Sequence, residues 1–144
     1  MKYVLFLLTS IFLLSCGSTA TQKTEKVDSW KATLPDPDAD YGDYPHKYRE
    51  YIEHYFSLSL KDPESVVYLS FSDPMKEHKI ESVHTKSAIY GYSACAVINA
   101  RNSFGGYAGP KQYWFLFRNG QIVDVKDRST GYGKIIYLGR QTSC

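Results

Sequence analysis

The sequence has little of what marks an enzyme or a nucleic-acid binder. Its 144 residues carry 17 Lys and Arg against 15 Asp and Glu, and they form no basic run, whereas a nucleic-acid binder usually carries a basic face. No G-x-S-x-G, no H-E-x-x-H and no glycine-rich phosphate loop ahead of a helix is present. The 4 histidines lack the spacing of zinc ligands. These absences predict a protein that is not an enzyme, that binds no nucleic acid or metal, and that needs no cofactor.

One acidic segment imitates the beginning of a calcium-binding loop. Asp36, Asp38 and Asp40 alternate as they do in D-x-D-x-D-G, a loop that a Glu closes at its last position. Tyr41 stands where the turn needs Gly, and Lys47 stands where that Glu belongs, so the turn residue and the bidentate ligand are both missing. The segment is therefore expected to be a solvated acidic linker and not a metal site.

The amino terminus is typical of a targeting segment. Lys2 supplies a short positive region, and residues 4–14 form an apolar run that is too short to cross a membrane as a helix. The run ends in LLSC (residues 13–16), which resembles the lipobox of bacterial lipoproteins: an aliphatic residue, a small residue before the cleavage point and an obligatory Cys after it. The alternative is an ordinary signal peptide or an apolar anchor that happens to contain Cys.

This resemblance implies the chemistry of a lipoprotein precursor. A diacylglycerol is attached to the Cys16 thiol, the signal peptide of residues 1–15 is cleaved, and the new amino terminus is acylated, typically with palmitate. Two or three acyl chains hold a protein firmly on a membrane. Gly17 follows Cys16 where an inner-membrane retention signal in enteric bacteria places Asp. The analogy therefore favours an outer-membrane location facing the periplasm if the organism is Gram-negative.

Once Cys16 carries lipid, Cys95 and Cys144 remain, and two arrangements are open for them. In an oxidising periplasm they can form a disulfide that staples the end of the chain to the domain. Such a bridge would stabilise the fold by roughly 4 kcal/mol in the chain-entropy model. The alternative is a Cys95 buried in a strand and a free, exposed Cys144.

Composition divides the rest of the chain into a tether and one domain. Residues 16–44 are polar and cannot bury enough apolar surface to order themselves, so a flexible tether from Cys16 is expected. Residues 45–144 are expected to form one small α+β domain. Within it, residues 45–60 show the period of an amphipathic helix. Its apolar stripe consists of Tyr48, Tyr51, Ile52, Tyr55 and Phe56.

Beyond this helix the hydrophobic period changes to that of strands. β-Branched and aromatic runs predict strands at residues 66–71, 87–101, 112–118, 121–125 and 134–138, with a weaker candidate at 80–83. The expected fold is one N-terminal amphipathic helix packed on a four- to five-stranded, mostly antiparallel sheet.

The Asn-Gly pair at residues 119–120 is the strongest local signal, because it favours the type I′ turn of a β-hairpin. The register of such a hairpin would place Leu116 opposite Val123. Trp114 would then lie opposite Val125, and all four side chains would share one buried side.

Two segments resemble the motifs of a group of small extracytoplasmic bacterial domains. Their pattern is an initial helix, the motif L-K-x-P-x-S-x-x-Y/F, a strand that ends in N-A-x-N-S-F-G, and an aromatic-rich strand. Residues 60–68 (LKDPESVVY) and 99–105 (NARNSFG) match the two motifs. The resemblance covers most of residues 45–125 and implies a shared fold more than a shared activity.

The second motif is expected to form a broad turn between two strands. Asn and Gly suit its positive-φ positions, and Phe104 is expected to tuck its ring under the loop. The first interpretation of this turn is a purely structural role. In the alternative reading the turn binds a partner, and Arg101, Asn102 and Tyr107 are the contact residues.

Three hypotheses of function follow from the sequence. The first is a lipid-anchored, non-catalytic domain that contacts another envelope component, such as a protein partner. The second is an inhibitor or immunity lipoprotein that captures an envelope-attacking enzyme, since tyrosine-rich loops make good contact anchors. The third, which the missing motifs disfavour, is a cell-wall hydrolase.

Overall fold

The computed structural model describes residues 29–137 and 140–144, so the predicted signal peptide and Cys16 lie outside the described residues. A helix, α1, spans Tyr48–Ser59. The strands are β1 Val67–Phe71, β2 Met75–Ser82, β3 Ser87–Asn99, β4 Lys111–Arg118, β5 Gln121–Asp127, β6 Ile135–Tyr137 and β7 Arg140–Gln141, with 3-10 turns at Pro63–Ser65 and Tyr132–Lys134. None of the helical segments in these two described ranges is long and apolar enough to span a bilayer. The fold is of the mixed α+β class with a five-stranded antiparallel sheet, as the sequence predicted.

The long strand β3 is the centre of this sheet. The strand order is β1-β3-β4-β5, and β2 also pairs with β3. The second part of β3 pairs with β1 and its first part pairs with β2. This division arises because the chain leaves the ladder at Asp73-Pro74, where proline supplies no N–H. β1 and β2 thus both pair with the same edge of β3, and β4 pairs with its other edge.

The helix α1 covers one face of the sheet with an aromatic and aliphatic core. Ile52 and Phe56, one helical turn apart, are 0% and 1% exposed. The ring of Phe56 packs edge-on against Phe115 with 5.7 Å between centroids. Tyr51 lies beside Phe117 at 6.4 Å. Deleting a side chain such as that of Phe56 from a core of this kind costs about 3–5 kcal/mol.

The opposite face of the sheet is closed by the C-terminal segment. Cys95, Trp114 and neighbouring apolar residues form a second buried cluster there, because successive side chains of a strand point to opposite faces. The structure joins Cys95 and Cys144 in a disulfide whose Cα atoms are 5.7 Å apart. Ser143 Oγ lies 3.4 Å from a carboxylate oxygen of Glu77. Of the two cysteine arrangements that the sequence left open, the structure therefore has the one with the Cys95–Cys144 disulfide.

The turn at residues 119–120 joins β4 and β5 in the predicted hairpin, but the register differs from the prediction. The two turn residues have φ values of 50° and 72°, as a type I′ turn requires. Phe117 faces Ile122, and a β-bulge then shifts the pairing so that Leu116 faces Asp124. Val123 is the extra residue of this bulge.

The prediction that four hairpin side chains share one buried side is therefore wrong. Phe115, and not Trp114, lies opposite Val125. Trp114 is buried on the face away from the helix, while Val125 packs on the helix side and Val123 is 39% exposed. The physical reason is that one inserted residue reverses the inward and outward positions beyond it.

Residues 36–44 lie against the sheet, although the sequence placed them in a flexible tether. The N–H of Asp36 donates a hydrogen bond to Tyr90 Oη at 3.0 Å. Arg118 Nη1 donates to the carbonyl oxygen of Asp40 at 2.7 Å, and Arg118 Nη2 lies 3.1 Å from the Asp40 carboxylate. Contacts thus cross the predicted boundary between the tether and the domain.

Candidate functional site

The topology brings three connecting segments to one end of the sheet, which we call the loop end. Residues 100–110 join β3 to β4 there, residues 60–66 lead into β1, and residues 128–134 leave β5. They lie at one end because the last residues of β3 and β5 flank the first residues of β4 in an antiparallel sheet. The two motifs that the sequence singled out therefore meet at the loop end.

The opposite end of the sheet, which we call the tether end, receives the chain from the amino terminus. It contains the β2–β3 turn, the β4–β5 turn and residues 36–44, which are held by the contacts to Tyr90 and Arg118 described above. The loop end thus lies on the side of the domain away from residues 36–44.

The loop between β3 and β4 is braced from inside by one side chain. Asn102 Oδ1 accepts hydrogen bonds from the N–H groups of Phe104 at 2.9 Å and Gly106 at 3.2 Å. The backbone N–H of Asn102 donates to the carbonyl oxygen of Gly106 at 2.8 Å. Gly105 has a φ of 80°, a conformation that residues with a Cβ rarely adopt. These bonds give the loop a defined shape without help from a partner.

Ser65 joins the two motif segments to each other. Its hydroxyl accepts a hydrogen bond from the N–H of Arg101 at 3.0 Å and donates to the carbonyl oxygen of Asp62 at 2.7 Å. Tyr107 Oη donates to the carbonyl oxygen of Ser65 at 3.2 Å. Because Ser65 is 8% exposed, water competes little for these bonds. The residue therefore positions the base of the loop.

The tip of this loop presents an aromatic ring to solvent. Phe104 is 96% exposed, so the expectation that its ring tucks under the loop is wrong. The physical reason is that the Asn102 side chain occupies the inside of the loop, 3.9 Å from where a Cβ of Gly106 would lie. At the base, the Arg101 guanidinium lies 5.6 Å from the centroid of the Tyr107 ring, a cation–π distance.

A second exposed ring stands at the same end of the sheet. Tyr132 is 91% exposed in the segment that follows β5. Asp127 starts this segment, and its carboxylate accepts the N–H of Ser129 at 2.9 Å. Position 133 requires glycine, since a Cβ there would collide with the carbonyl oxygen of Asp127. Both exposed rings are thus carried by segments with internal hydrogen bonds.

The two ends of the sheet differ in charge. The loop end carries Lys61, Arg101, Lys111, Arg128 and Lys134 together with Asp62, Glu64 and Asp127, a positive balance. The tether end carries Asp36, Asp38, Asp40 and Asp43 in its N-terminal segment, with Lys86 and Arg118 beside them. Lys61 Nζ donates to Ser103 Oγ at 2.9 Å, so one cation is fixed directly beside Phe104.

A small cleft of about 100 Å³ lies behind the loop, lined by Leu60, Ile98, Asn102 and Tyr113 among others. Burial raises the pKa of Tyr113, and the negative charge of Asp127 on the neighbouring strand raises it further. Tyr113 is therefore a neutral hydrogen-bonding group at any physiological pH. The cleft is too small for a typical small-molecule ligand, which needs several hundred Å³.

Other ionisable side chains are held within the fold. Glu77 and His78 are 4% and 6% exposed on β2. Glu77 Oε1 accepts the N–H of His78 at 2.8 Å, and the imidazole stacks on Tyr90 at 5.6 Å between centroids. Across residues 29–137 and 140–144, no group of three or more His, Cys, Asp or Glu side chains is placed to hold a metal ion.

The structure brings the three candidate contact residues together but gives them different roles. Arg101 and Tyr107 pair across the base of the loop, whereas Asn102 turns its side chain inward as a brace. Sequence reasoning missed Ser65, although it belongs to the first motif, and it missed Tyr132, because an aromatic residue in an irregular segment carries no periodic signal. Cys16 lies outside the described residues.

Comparison with protein families, with curated proteins and with solved structures finds no match for this chain.

Proposed function

We propose that this chain is a lipid-anchored, non-catalytic domain that binds another protein of the bacterial envelope through its loop end. The resemblance of residues 13–16 to a lipobox supports an anchor at Cys16. By the analogy with Gly17, the anchor is in the outer membrane and faces the periplasm in a Gram-negative organism. The partner contact rests on separate observations at the loop end.

The observation that carries this proposal is the exposure of Phe104, 96%, on a loop with its own internal bracing. A large apolar ring that is held in water gains nothing for folding, because it buries almost no surface in the domain. An aromatic anchor of fixed shape is typical of the residues that dominate protein–protein binding energies. Pre-formed shape lowers the entropic cost of association.

The chemistry of the loop end indicates the character of the partner. Phe104 and Tyr132 require apolar depressions. Lys61 and Arg101, which contact Ser103 and Tyr107 of the Phe104 loop, favour acidic groups around the depression that receives Phe104. Complementary charge of this kind speeds association and makes its rate depend on salt. We therefore expect a partner with an apolar cleft and an acidic rim.

Site-specific photo-crosslinking tests this proposal in the native envelope. A photoreactive phenylalanine analogue is placed at position 104 or 132, and at Met75 as the control, because Met75 is 51% exposed on β2, away from the loop end. We expect positions 104 and 132 to give an adduct of the same protein and position 75 to give none. Phe104→Ser, read with the crosslinker at 132, should reduce the adduct at least tenfold.

Two results would contradict the proposal. Adducts of equal yield at positions 75 and 104 would mean that contacts are unspecific. A loop end that crosslinks to nothing, in cells where the chain is present at its normal level, would mean that the exposed rings have no protein partner.

A second candidate function is inhibition of an envelope-attacking enzyme, and the convex form of the loop favours it. Asn102 braces a protruding loop with Phe104 at its tip, and a protruding loop of fixed shape is suited to filling a concave enzyme site. Purified chain added to purified cell-wall hydrolases would form a one-to-one complex and stop turnover. Phe104→Ser should restore turnover. A complex that leaves turnover unchanged would favour the first function over this one.

A further inference from the structure

A larger cleft lies at the tether end, away from the loop end. It has a volume of about 480 Å³, which is within the range of small-ligand sites. Its walls come from residues 30–37 on one side and from the β2–β3 turn with the beginning of β3 on the other. Trp30, Leu34 and Tyr90 provide apolar lining, and Asp36, Lys86 and Ser87 provide polar groups.

The wall formed by residues 30–37 has a defined conformation. The N–H of residue 33 donates to the carbonyl oxygen of Trp30 at 3.0 Å, and the N–H of Leu34 donates to residue 31 at 3.2 Å. The N–H of Asp36 donates to Tyr90 Oη at 3.0 Å, which fastens this wall to β3. The Asp36–Tyr90 bond therefore joins the two sides of the cleft, and the other two bonds shape one side.

The polar groups of the cleft can form further hydrogen bonds with a ligand. Asp36 Oδ1 accepts one N–H, that of Asp38 at 2.9 Å, and its carboxylate is exposed. Lys86, with a φ of 53° at the turn, makes no ion pair or hydrogen bond with any residue that the structure describes. Ser87 Oγ shares one contact, with a neighbouring hydroxyl. One anion, one cation and one hydroxyl thus line a space together with Trp30 and with Tyr90, whose ring also stacks on His78.

This combination discriminates between classes of ligand. A fatty acyl chain would desolvate Asp36 and Lys86 without giving them hydrogen bonds, which is costly. A phosphate group would meet the Asp36 carboxylate as well as Lys86, so attraction and repulsion would largely cancel. A neutral sugar ring fits both features, because its weakly positive C–H face packs against electron-rich aromatic rings while its hydroxyls donate and accept hydrogen bonds.

We propose that the cleft between Trp30 and Tyr90 binds a neutral sugar ring, with Asp36, Lys86 and Ser87 as hydrogen-bonding partners. Two envelope sources offer this chemistry: the glycan strand of the cell wall and the sugar headgroup of a glycolipid. The site does not depend on the loop-end function, because it shares no residue with the loop end.

Tryptophan fluorescence of the full chain, purified in detergent, tests this site directly. The chain has 2 tryptophans, and Trp114 is 0% exposed in the core, so a ligand in the cleft changes the emission of Trp30 alone. The probes are a short oligomer of N-acetylglucosamine for the cell-wall source and a neutral oligosaccharide of glucose and galactose for the glycolipid headgroup. We expect saturable emission changes with one of them at micromolar to millimolar concentration.

Calorimetry on variants then locates the site. Trp30→Ala and Lys86→Ala should each weaken binding at least tenfold, while Tyr132→Ser, an exposed aromatic at the other end, should bind as the parent does. Far-ultraviolet circular dichroism should be the same for all three. If neither probe binds at 10 mM, or if Trp30→Ala and Lys86→Ala bind with the parent affinity, the assignment of this cleft is overturned.

Discussion

Replacing Asn102 with Ala separates the structural role of the loop from its contact role. Asn102 Oδ1 accepts the N–H groups of Phe104 and Gly106 at 2.9 and 3.2 Å. After Asn102→Ala, both N–H groups must turn to water or remain unpaired. The substitution removes no ring and no charge from the surface, so its first effect is on the shape of the loop.

The size of the effect follows from these two bonds. Each contributes about 0.5–1.5 kcal/mol net, and because the loop is exposed the lower half of that range applies. The loss of a side-chain cap at a helix terminus, a comparable change, costs about 0.5–2 kcal/mol. We expect Asn102→Ala to lower the unfolding free energy by about 1–2 kcal/mol. For a domain of roughly 100 residues this corresponds to a fall in Tm of about 5–15 °C.

Urea unfolding and a thermal scan measure this change, and two variants provide controls. Asn102→Asp keeps the acceptor oxygen and should cost less than about 0.5 kcal/mol. Phe104→Ser changes a ring that is 96% exposed, so its stability should stay within about 0.5 kcal/mol of the parent. If Asn102→Ala unfolds at the parent urea concentration, the brace does not hold the loop and the argument from a pre-formed contact surface fails.

Three further perturbations test other parts of the fold. Ser65→Ala should lower the unfolding free energy by about 2 kcal/mol in a urea titration, because two buried hydrogen bonds are lost; an unchanged midpoint would show that Ser65 does not join the motifs. Cys144→Ser should cost roughly 2–4 kcal/mol and make stability insensitive to reductant, and alkylation of both thiols without reductant in the parent would refute the bridge. Burial raises the pKa of Tyr113 above its ordinary value, so the unfolded chain ionises first. Stability should therefore fall as the pH rises above about 10, and less steeply in Tyr113→Phe; equal slopes would contradict this.

Local periodicity predicted the elements whose partners are close in sequence. The helix period of residues 45–60 matches a helix at Tyr48–Ser59, and the Asn-Gly pair matches the β4–β5 turn. The β-bulge in that hairpin was not predicted, because a bulge is set by the twist and packing of the whole sheet and not by the turn. The strand Met75–Ser82 was predicted only in part, since its first residues include Lys, Glu and His, which have weak strand preference.

The parts of the candidate site that sequence reasoning missed depend on contacts between distant segments. Ser65 and Arg101 are separated by 36 positions. No local pattern in the sequence shows that the Ser65 hydroxyl supports the loop that begins at Arg101. The ring of Phe104 was predicted to lie under the loop but is exposed. The error arose because the sequence does not show that Asn102 fills the inside of the loop. Both errors concern which side chain occupies a particular small space, a question that only packing answers.

The placement of the two surfaces argues against the membrane as the partner of the loop end. The strand β3 has 13 residues, and at about 3.3 Å per residue the two ends of the sheet are separated by up to roughly 40 Å. The described chain begins at residue 29 and contacts the sheet at the tether end through Asp36 and Asp40. If the chain is anchored at Cys16 as proposed, an aromatic tip that inserts into the anchoring membrane is expected at that same end. Phe104 and Tyr132 are instead at the loop end, so under the proposed anchoring the domain would hold both rings away from the membrane, which favours a protein as their partner.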